Sequence, residues 1–506
     1  MNYILGISAG FHDAAASVIS EDGEIVFAGH SERYSKIKND KNIHPDLIKD
    51  CIRWDIDTIA YYERPWMHNV QKIYSGEYGL TPWTVKGVLT DQLPEYKNEL
   101  VKKCKISKSP HHLSHAAAGF QTSPYQEAAV VVIDAIGELD TISIYHAAYD
   151  NNGNAQYKRL WNQKYPHSFG LFYTAITQKI GLRPMEDEYV TMGMAAYGSD
   201  LSAVMMKNDF FDDLSVGKLK ENLHLGINNT EQISQSQILN DPRIANKENI
   251  AASAQRVVEE GILEIIRRAK RLVDSDNLVF MGGVALNCVA NSRLGLIYPN
   301  IWIMPNPGDA GSSLGTAALK YKKALKWKNA YLGHEISGPY PIKDVVDHLI
   351  TDKIVGVASG KAEFGPRALG NRSLLADPRG EDIKDKVNQI KKRQKFRPFA
   401  PAILEEHVHD YFDMPAGFSS SPYMQVVARV KHPEKYPAIT HADGTARVQT
   451  VPKDGSGFRK LLEMWYVWTG CPILLNTSLN IRGEPMVNDR KDADRFEEKY
   501  GITVCS

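Results

Sequence analysis

His111 and His115 stand four residues apart in Pro110-His111-His112-Leu113-Ser114-His115, just ahead of Ala116-Ala117-Ala118. On a helix that spacing projects both imidazoles from one face, close enough to bind one metal ion. A helix start with surface histidines is the competing reading. The histidine density, and the run of small residues that permits close packing, favour the metal. Two more ligands must come from elsewhere. Asp134 and Asp309 are candidates, because each ends an apolar strand in a glycine turn, where the backbone holds the carboxylate. A mixed imidazole and carboxylate shell suits Fe2+, Mn2+ or Zn2+ better than Ca2+.

Glycines at strand ends suggest a second chemistry: Gly137, Gly282 with Gly283, and Gly308 with Gly311. Each alone is explained by an ordinary tight turn. Together they point to a nucleotide whose phosphates meet backbone N–H groups, with a metal beside them. There is no Walker sequence, and GISAGFHDAA is not a dinucleotide fingerprint. A third chemistry is carried by Arg367, in EFGPRALGNRS, and Arg397, in the basic run over 391–401. Basic runs are usually solvated helix faces. These two arginines are embedded among Gly, Pro and Phe, and rigid loops of that kind hold a guanidinium for bidentate capture of phosphate.

The elements that must position these groups are legible as short apolar runs. Tyr3–Ser8, Ala15–Ile19 and Glu24–Ala28 are expected strands, with turns at Ala9–His12 and Glu21–Gly23. The pattern recurs about 125 residues later: strand Ala129–Ile133, a glycine-containing turn Asp134–Glu138, strand Thr141–Ala147, turn Asn151–Asn154 and strand Ala155–Leu160. Such repetition predicts a duplicated α/β domain, although two unrelated hairpins would give the same signal. Further strands are expected at Asn277–Met281, followed by a helix over ALNCVANSRL, at Trp302–Met304, and at Pro472–Leu475. Lys320–Lys328 reads as a basic helix end, and Gly333–Pro341 as the domain boundary.

Composition limits the partners. The chain has 506 residues, which exceeds one ordinary core and implies at least two domains. Lys plus Arg and Asp plus Glu both number 60, so no global field draws the protein to nucleic acid or an anionic membrane. Five scattered cysteines without a CxxC pair indicate neither a disulfide framework nor a thiolate zinc site. MNYILGISAG lacks a basic n-region and a long apolar stretch, and no run approaches a membrane span. A cytoplasmic enzyme without a membrane partner is expected.

In combination, the strings GISAGFHDAAASVI, HHLSHAAAGF, VVVIDAIGE, TMGMAAYG, GGVALN, GDAGSSLG, EFGPRALGNRS, FRPFAPAI, TARVQTV and LLNTSLN resemble the O-carbamoyltransferases of the NodU/CmcH type, over residues 1 to about 490. The resemblance implies an N-terminal domain, 1–335, of the actin and sugar-kinase superfold, like the tRNA threonylcarbamoyl-transfer ATPases. It implies a C-terminal YrdC-like α/β domain, 336–506. By that resemblance the second domain makes carbamoyl adenylate from carbamoyl phosphate and ATP, and the first moves the carbamoyl group to an acceptor hydroxyl. The metal shell would be His111, His115, Asp134 and Asp309, with Fe2+ foremost. His12 and Asp13 fall where the family has its His-Asp pair at the transfer site. The nucleotide would meet Gly137, Gly282, Gly283, Asn287, Gly308 and Gly311. Carbamoyl phosphate and the adenylate would draw on Arg367, Lys391, Arg397, Arg447, Asn476 and Ser478. Mg2+ is expected with ATP, and a homodimer is compatible with the family. One departure stands out: where many relatives carry a lysine in EGKVMGLA, this chain has Val190.

The acceptor is expected to be a small-molecule alcohol or a hydroxymethylated pyrimidine in DNA. In the latter case Lys102, Lys103, Lys105, Lys108 and the Lys320–Lys328 stretch could follow a phosphate backbone, although short lysine runs are usually solvated faces. Two other functions compete: threonylcarbamoyl transfer to tRNA, against which the lack of net positive charge argues, and a nucleotide-binding regulator without transfer chemistry.

Overall fold

The computed structural model describes residues 2–224, 236–241, 246–380, 382–394 and 396–506. It is a mixed α/β structure built on three larger sheets. In the first, Tyr3–Ser8, Ala15–Ser20 and Ile25–His30 form an antiparallel meander, and Ile56–Tyr61 and Lys105–Lys108 extend it in parallel on the other side of Tyr3–Ser8. The second repeats the plan. Glu127–Gly137, Asp140–Tyr149 and Ala155–Lys164 form the meander, and Asn277–Met281 and Asn300–Trp302 add in parallel beside Glu127–Gly137. Both sheets therefore share one strand order, with the first strand of each repeat in the middle. The duplication legible in the turns is a duplication of topology.

Two helices lie between these sheets. Asp309–Tyr321 packs on the first sheet, where Ser313 Oγ meets Ser17 Oγ at 2.7 Å. His111–Phe120 packs on the second. The helices can approach because their facing residues are small: a Cβ on Gly315 would fall 1.8 Å from the Ser114 carbonyl oxygen. Alternation along the central strand of the second sheet serves both faces. Val130 and Val132 pack towards the histidine helix, and Ala129, Val131 and Ile133 towards the amphipathic helix Lys247–Leu272.

A six-stranded sheet forms the C-terminal part, in the order Gln449–Val451, Ala400–Leu404, Ile473–Ser478, Arg372–Ala376, Ile354–Ala358, Val504–Cys505. Apolar layers cover both of its faces, one including the helices Ile342–Thr351 and Gly457–Thr469. A small sheet, Phe412–Asp413, Val427–Val430 and Thr445–Arg447, docks on the turns that follow the strand Asn277–Met281. There Ser292 Oγ donates to Val427 O at 3.1 Å, and Asn291 Nδ2 to Gln425 O at 3.0 Å. Among the described residues no helix is long and apolar enough to cross a membrane.

Several local expectations are corrected. The segment Asp134–Gly137 is not a turn but the end of a strand, because Ala135 and Ile136 continue the apolar run; the reversal falls at Glu138, which takes φ 59°. ALNCVANSRL does not form one helix. It breaks into short turns, Gly283–Leu286, Cys288–Asn291 and Leu294–Leu296, because Asn287 turns its side chain back as a cap on Ala290 N. The strand expected at Trp302–Met304 lies at Asn300–Trp302. The helix before the lysine-rich stretch stops at Tyr321, closed by Lys322 at φ 74°.

Candidate functional site: a histidine–carboxylate centre and an arginine cluster

Strand ends and a helix start converge on one point. Asp134 lies near the end of Glu127–Gly137, Asp309 opens the helix after the loop 305–308, and His111 and His115 share one face of the facing helix. The ligating atoms of these four residues all lie within 4.8 Å of one another, and all four residues are buried. His115 Nε2 is 3.1 Å from His111 Nε2, 3.2 Å from Asp309 Oδ1 and 3.1 Å from Asp134 Oδ2.

The donor set fits a divalent cation. His115 Nδ1 donates to Pro307 O at 3.0 Å, so that Nε2 is the nitrogen left to offer a lone pair to a cation at the centre. Asp134 Oδ1 accepts from Ala135 N at 2.8 Å, while its Oδ2 is buried without a hydrogen bond. Two imidazole nitrogens and two carboxylates aimed at one buried point are hard to satisfy without a cation. Burial works against charge on Asp134 and Asp309, yet the surrounding histidines outweigh it and hold both carboxyls below the usual range.

His12 lies at the edge of this centre. Its Nδ1 is 3.0 Å from Asp13 Oδ2 and its Nε2 3.6 Å from Asp309 Oδ2. Burial disfavours the imidazolium, but Asp309 and Asp13 more than offset it and push His12 up to about 9.

The glycines meet different fates. Gly282, at φ 92°, gives its N–H to Pro307 O at 2.9 Å, and Gly311 gives its own to Gly308 O at 2.9 Å, so neither is free for a phosphate. Gly283 lies beside the Asp134 carboxylate, and Gly308 borders open space. Gly137 makes room for the histidines, since a Cβ there would fall 2.5 Å from the rings of His111 and His112. Asn287 pairs reciprocally with Gln255, both bonds being 3.0 Å.

A second cluster forms around the C-terminal loops. Arg367, Arg393, Arg397 and Arg447 act on one another, and the side chains of Cys288 and Tyr189 lie beside them rather than any carboxylate among the described residues. Burial first, then Arg447, pulls Arg367 down to about 9; a guanidinium at that value is still charged at neutral pH. The Arg447 Nε is buried without a partner. Asn476 braces the arginine loop, donating to Ala368 O at 3.1 Å and to Gln449 Oε1 at 2.7 Å, with its own Oδ1 unpaired. Lys391 is otherwise engaged. Its buried ammonium contacts Ser478 O at 2.5 Å, Ser478 Oγ at 3.2 Å, Asn480 O at 3.0 Å and Asn480 Oδ1 at 2.9 Å, which ties the 478–480 loop together. Lys395 lies outside the described residues.

Residues 3–318 match the family model described as carbamoyltransferase N-terminus, and residues 346–505 the one described as carbamoyltransferase C-terminus. The chain belongs to the carbamoyltransferase family. It is 33% identical to an uncharacterised Synechocystis protein, over 98% of this chain and 94% of that one. Nodulation protein NolNO of Sinorhizobium fredii is 30% identical over 95% of this chain and 76% of its own length. The 3'-hydroxymethylcephem-O-carbamoyltransferase of Amycolatopsis lactamdurans is 27% identical over 79% of each.

In this carbamoyltransferase the two clusters are joined through the loop that precedes Asp309. His30 Nε2 meets Asn306 Nδ2 at 3.1 Å, and its ring lies 5.4 Å from that of Phe364, three residues before Arg367. The spacing argument missed several residues here. Glu63 is buried just past the strand Ile56–Tyr61, with Oε2 3.6 Å from His111 Nδ1. An acid following an apolar run was the available signal. Arg393 was hidden in its basic run, and Tyr189 gave no signal at all. Val190, at the departure from the family's lysine, is fully buried.

Proposed function

We propose that this carbamoyltransferase is an ATP-dependent O-carbamoyltransferase that works in two half-reactions, activation in residues 336–506 and transfer in residues 1–335. The observation that carries the reading is the presence, in one carbamoyltransferase chain, of a buried histidine–carboxylate centre and a separate arginine cluster that has no carboxylate counter-ion among the described residues. The shared order of the first two sheets supports an actin and sugar-kinase-like N-terminal domain, and we assign the six-stranded sheet to a YrdC-like domain.

In the activation step, carbamoyl phosphate and water give carbamate and phosphate. A carbamate oxygen then attacks the α-phosphorus of ATP, the bond to the bridging oxygen of the β-phosphate breaks, and pyrophosphate leaves carbamoyl adenylate. Arg367, Arg393, Arg397 and Arg447 would bind these phosphates through charge-assisted hydrogen bonds, with Mg2+ sharing the triphosphate charge. Asn476 and Ser478 would face the carbamoyl amide, and Lys391 would act by holding their loop.

In the transfer step the acceptor hydroxyl attacks the carbamoyl carbon and AMP leaves. His12 would take the hydroxyl proton. Asp309, with Asp13, favours its charged form; a cation bound at Asp309 would offset the larger of these attractions and shift the imidazole towards the neutral form that accepts a proton. His111, His115, Asp134 and Asp309 would hold Fe2+, or else Mn2+ or Zn2+, and such an ion supplies Lewis acidity at the reacting group. The name of the Amycolatopsis relative, which acts on a hydroxymethyl group, supports a primary alcohol as acceptor, on a small molecule or on a pyrimidine of DNA.

Incubation with carbamoyl phosphate and ATP tests the reading. Release of pyrophosphate and AMP, together with a carbamoylated alcohol detected by mass spectrometry, is the expected result. ATP turnover that yields only ADP, or none at all, would refute it.

A further inference from the structure

The arginine cluster repels itself, yet among the described residues no carboxylate pairs with Arg397. Two tyrosines from the other family segment reach it instead. Tyr189, on the helix Glu188–Ala195, lies against Arg397 with the guanidinium carbon 4.7 Å from the ring centroid. Tyr197, just beyond that helix, donates its hydroxyl to Phe396 O at 2.7 Å, and its ring meets Phe396 edge-on at 5.6 Å. Neighbouring residues of one loop are thus gripped by one short segment.

That segment is itself well anchored. Val190 and Thr191 are fully buried, and Thr191 Oγ1 meets Thr177 Oγ1 at 2.8 Å. Glu188 accepts from Thr174 Oγ1 at 2.8 Å and from Met185 N at 2.7 Å. Within the loop, Arg397 N donates to Gln394 O at 3.2 Å and its carbonyl accepts from Asn388 Nδ2 at 3.2 Å, while Arg393 donates to Pro398 O at 3.1 Å; these contacts hold the backbone and leave the Arg397 guanidinium to Tyr189.

The chemistry of the partner matters. A carboxylate would hold Arg397 by occupying its N–H fork and neutralising its charge. An aromatic side chain attracts the guanidinium through the ring quadrupole, and although the Tyr189 hydroxyl also accepts a hydrogen bond from Arg397, a neutral phenol takes up less of the N–H fork than a carboxylate and leaves donors for an anion. We propose that Tyr189 and Tyr197 are positioning residues for Arg397, so that the anion site of the C-terminal segment is completed by the N-terminal one. This inference rests on the reading of the arginine cluster as the carbamoyl phosphate site.

The test uses the full chain and its variants Tyr189→Phe, Tyr189→Leu, Tyr197→Phe and Arg397→Ala. Binding of inorganic pyrophosphate is measured by calorimetry, and KM for carbamoyl phosphate from pyrophosphate release. Tyr189→Phe keeps the ring and is expected to bind like the parent. Tyr189→Leu is expected to weaken pyrophosphate binding and raise KM by about tenfold, with kcat changed less than about twofold, the range a partly buried cation–ring contact supports. Tyr197→Phe is expected to give a smaller change of the same kind. Wild-type binding by Tyr189→Leu, where Arg397→Ala binds poorly, overturns the positioning role and leaves the anion site standing. Wild-type binding by Arg397→Ala itself overturns the reading of the cluster. Should Tyr189→Leu fail to fold, Tyr189→Met carries the same expectation and the same refutation.

Discussion

At the residue scale, the centre is specified by where protons sit. Because His115 commits Nδ1 to Pro307 O, and His111 has only Glu63 near its Nδ1, both rings turn Nε2 inward. Removing either ring leaves three donors around a buried point with two carboxylates. His115→Ala is expected to lower metal affinity by more than about 100-fold, since even outer-shell partners contribute about 10- to 100-fold. Elemental analysis after gel filtration checks this, and full occupancy would rule the residue out as a ligand. His12 belongs to a different step. His12→Asn keeps a polar group beside Asp13 but removes the base, so pyrophosphate release is expected to persist while carbamoyl transfer falls by about 10^2- to 10^4-fold. Assaying both steps on one preparation decides it: normal transfer refutes the base role, and loss of both steps assigns His12 to activation or to the fold.

At the element scale, small residues do the positioning. Gly315 lets the helix Asp309–Tyr321 touch His111–Phe120, and that contact fixes the distance between Asp309 and the histidines. In the C-terminal part the equivalent device is polar. Lys391 collects oxygens from Ser478 and Asn480, and so sets the end of the strand Ile473–Ser478. Its amine is engaged inside the protein, although the family resemblance implied a place at the carbamoyl phosphate site. Lys391→Met preserves the stem and strips the loop of its donor. The expected cost is about 2–4 kcal/mol in denaturant unfolding, several buried acceptors being left unpaired. Pyrophosphate release should fall with it, because the loop shifts; unchanged stability would mean that the loop is held some other way.

At the scale of the whole molecule, the two clusters share a buried seam. Arg33, only 2% exposed, donates Nη2 to Gly365 O at 2.8 Å, and its charge faces Glu363. Glu363 in turn accepts from the backbone of Leu369 at 2.7 Å and Asn371 at 2.9 Å, which closes the loop bearing Arg367. Lys36 adds a contact to Asp492. Arg33→Met strips the Gly365 carbonyl of its donor and removes one of the two guanidinium charges, with Arg372, that face Glu363, and a loss of about 1–3 kcal/mol is expected. Activation should be impaired although Arg33 lies in the N-terminal segment. Equilibrium unfolding and pyrophosphate release on the same sample check both parts, and a neutral substitution would show that the seam does not couple the halves.

By itself the sequence determined the parts of this protein that are local. The four-residue spacing of His111 and His115 is a helical period, and Asp134 and Asp309 each stand out as an acid in or just after an apolar run, where a buried carboxylate needs a partner. The repeated strand-and-turn pattern announced two sheets of one topology, because a meander is written in consecutive residues. Only the tertiary structure decided what depends on distant loops. It brought Glu63 behind His111, withdrew Lys391 and Gly282 into internal hydrogen bonds, and set Tyr189 against Arg397. A side chain's type and neighbours in sequence state what it can donate or accept. Which partner it finds is settled by packing between segments hundreds of residues apart, where burial makes an unpaired polar group too costly to leave.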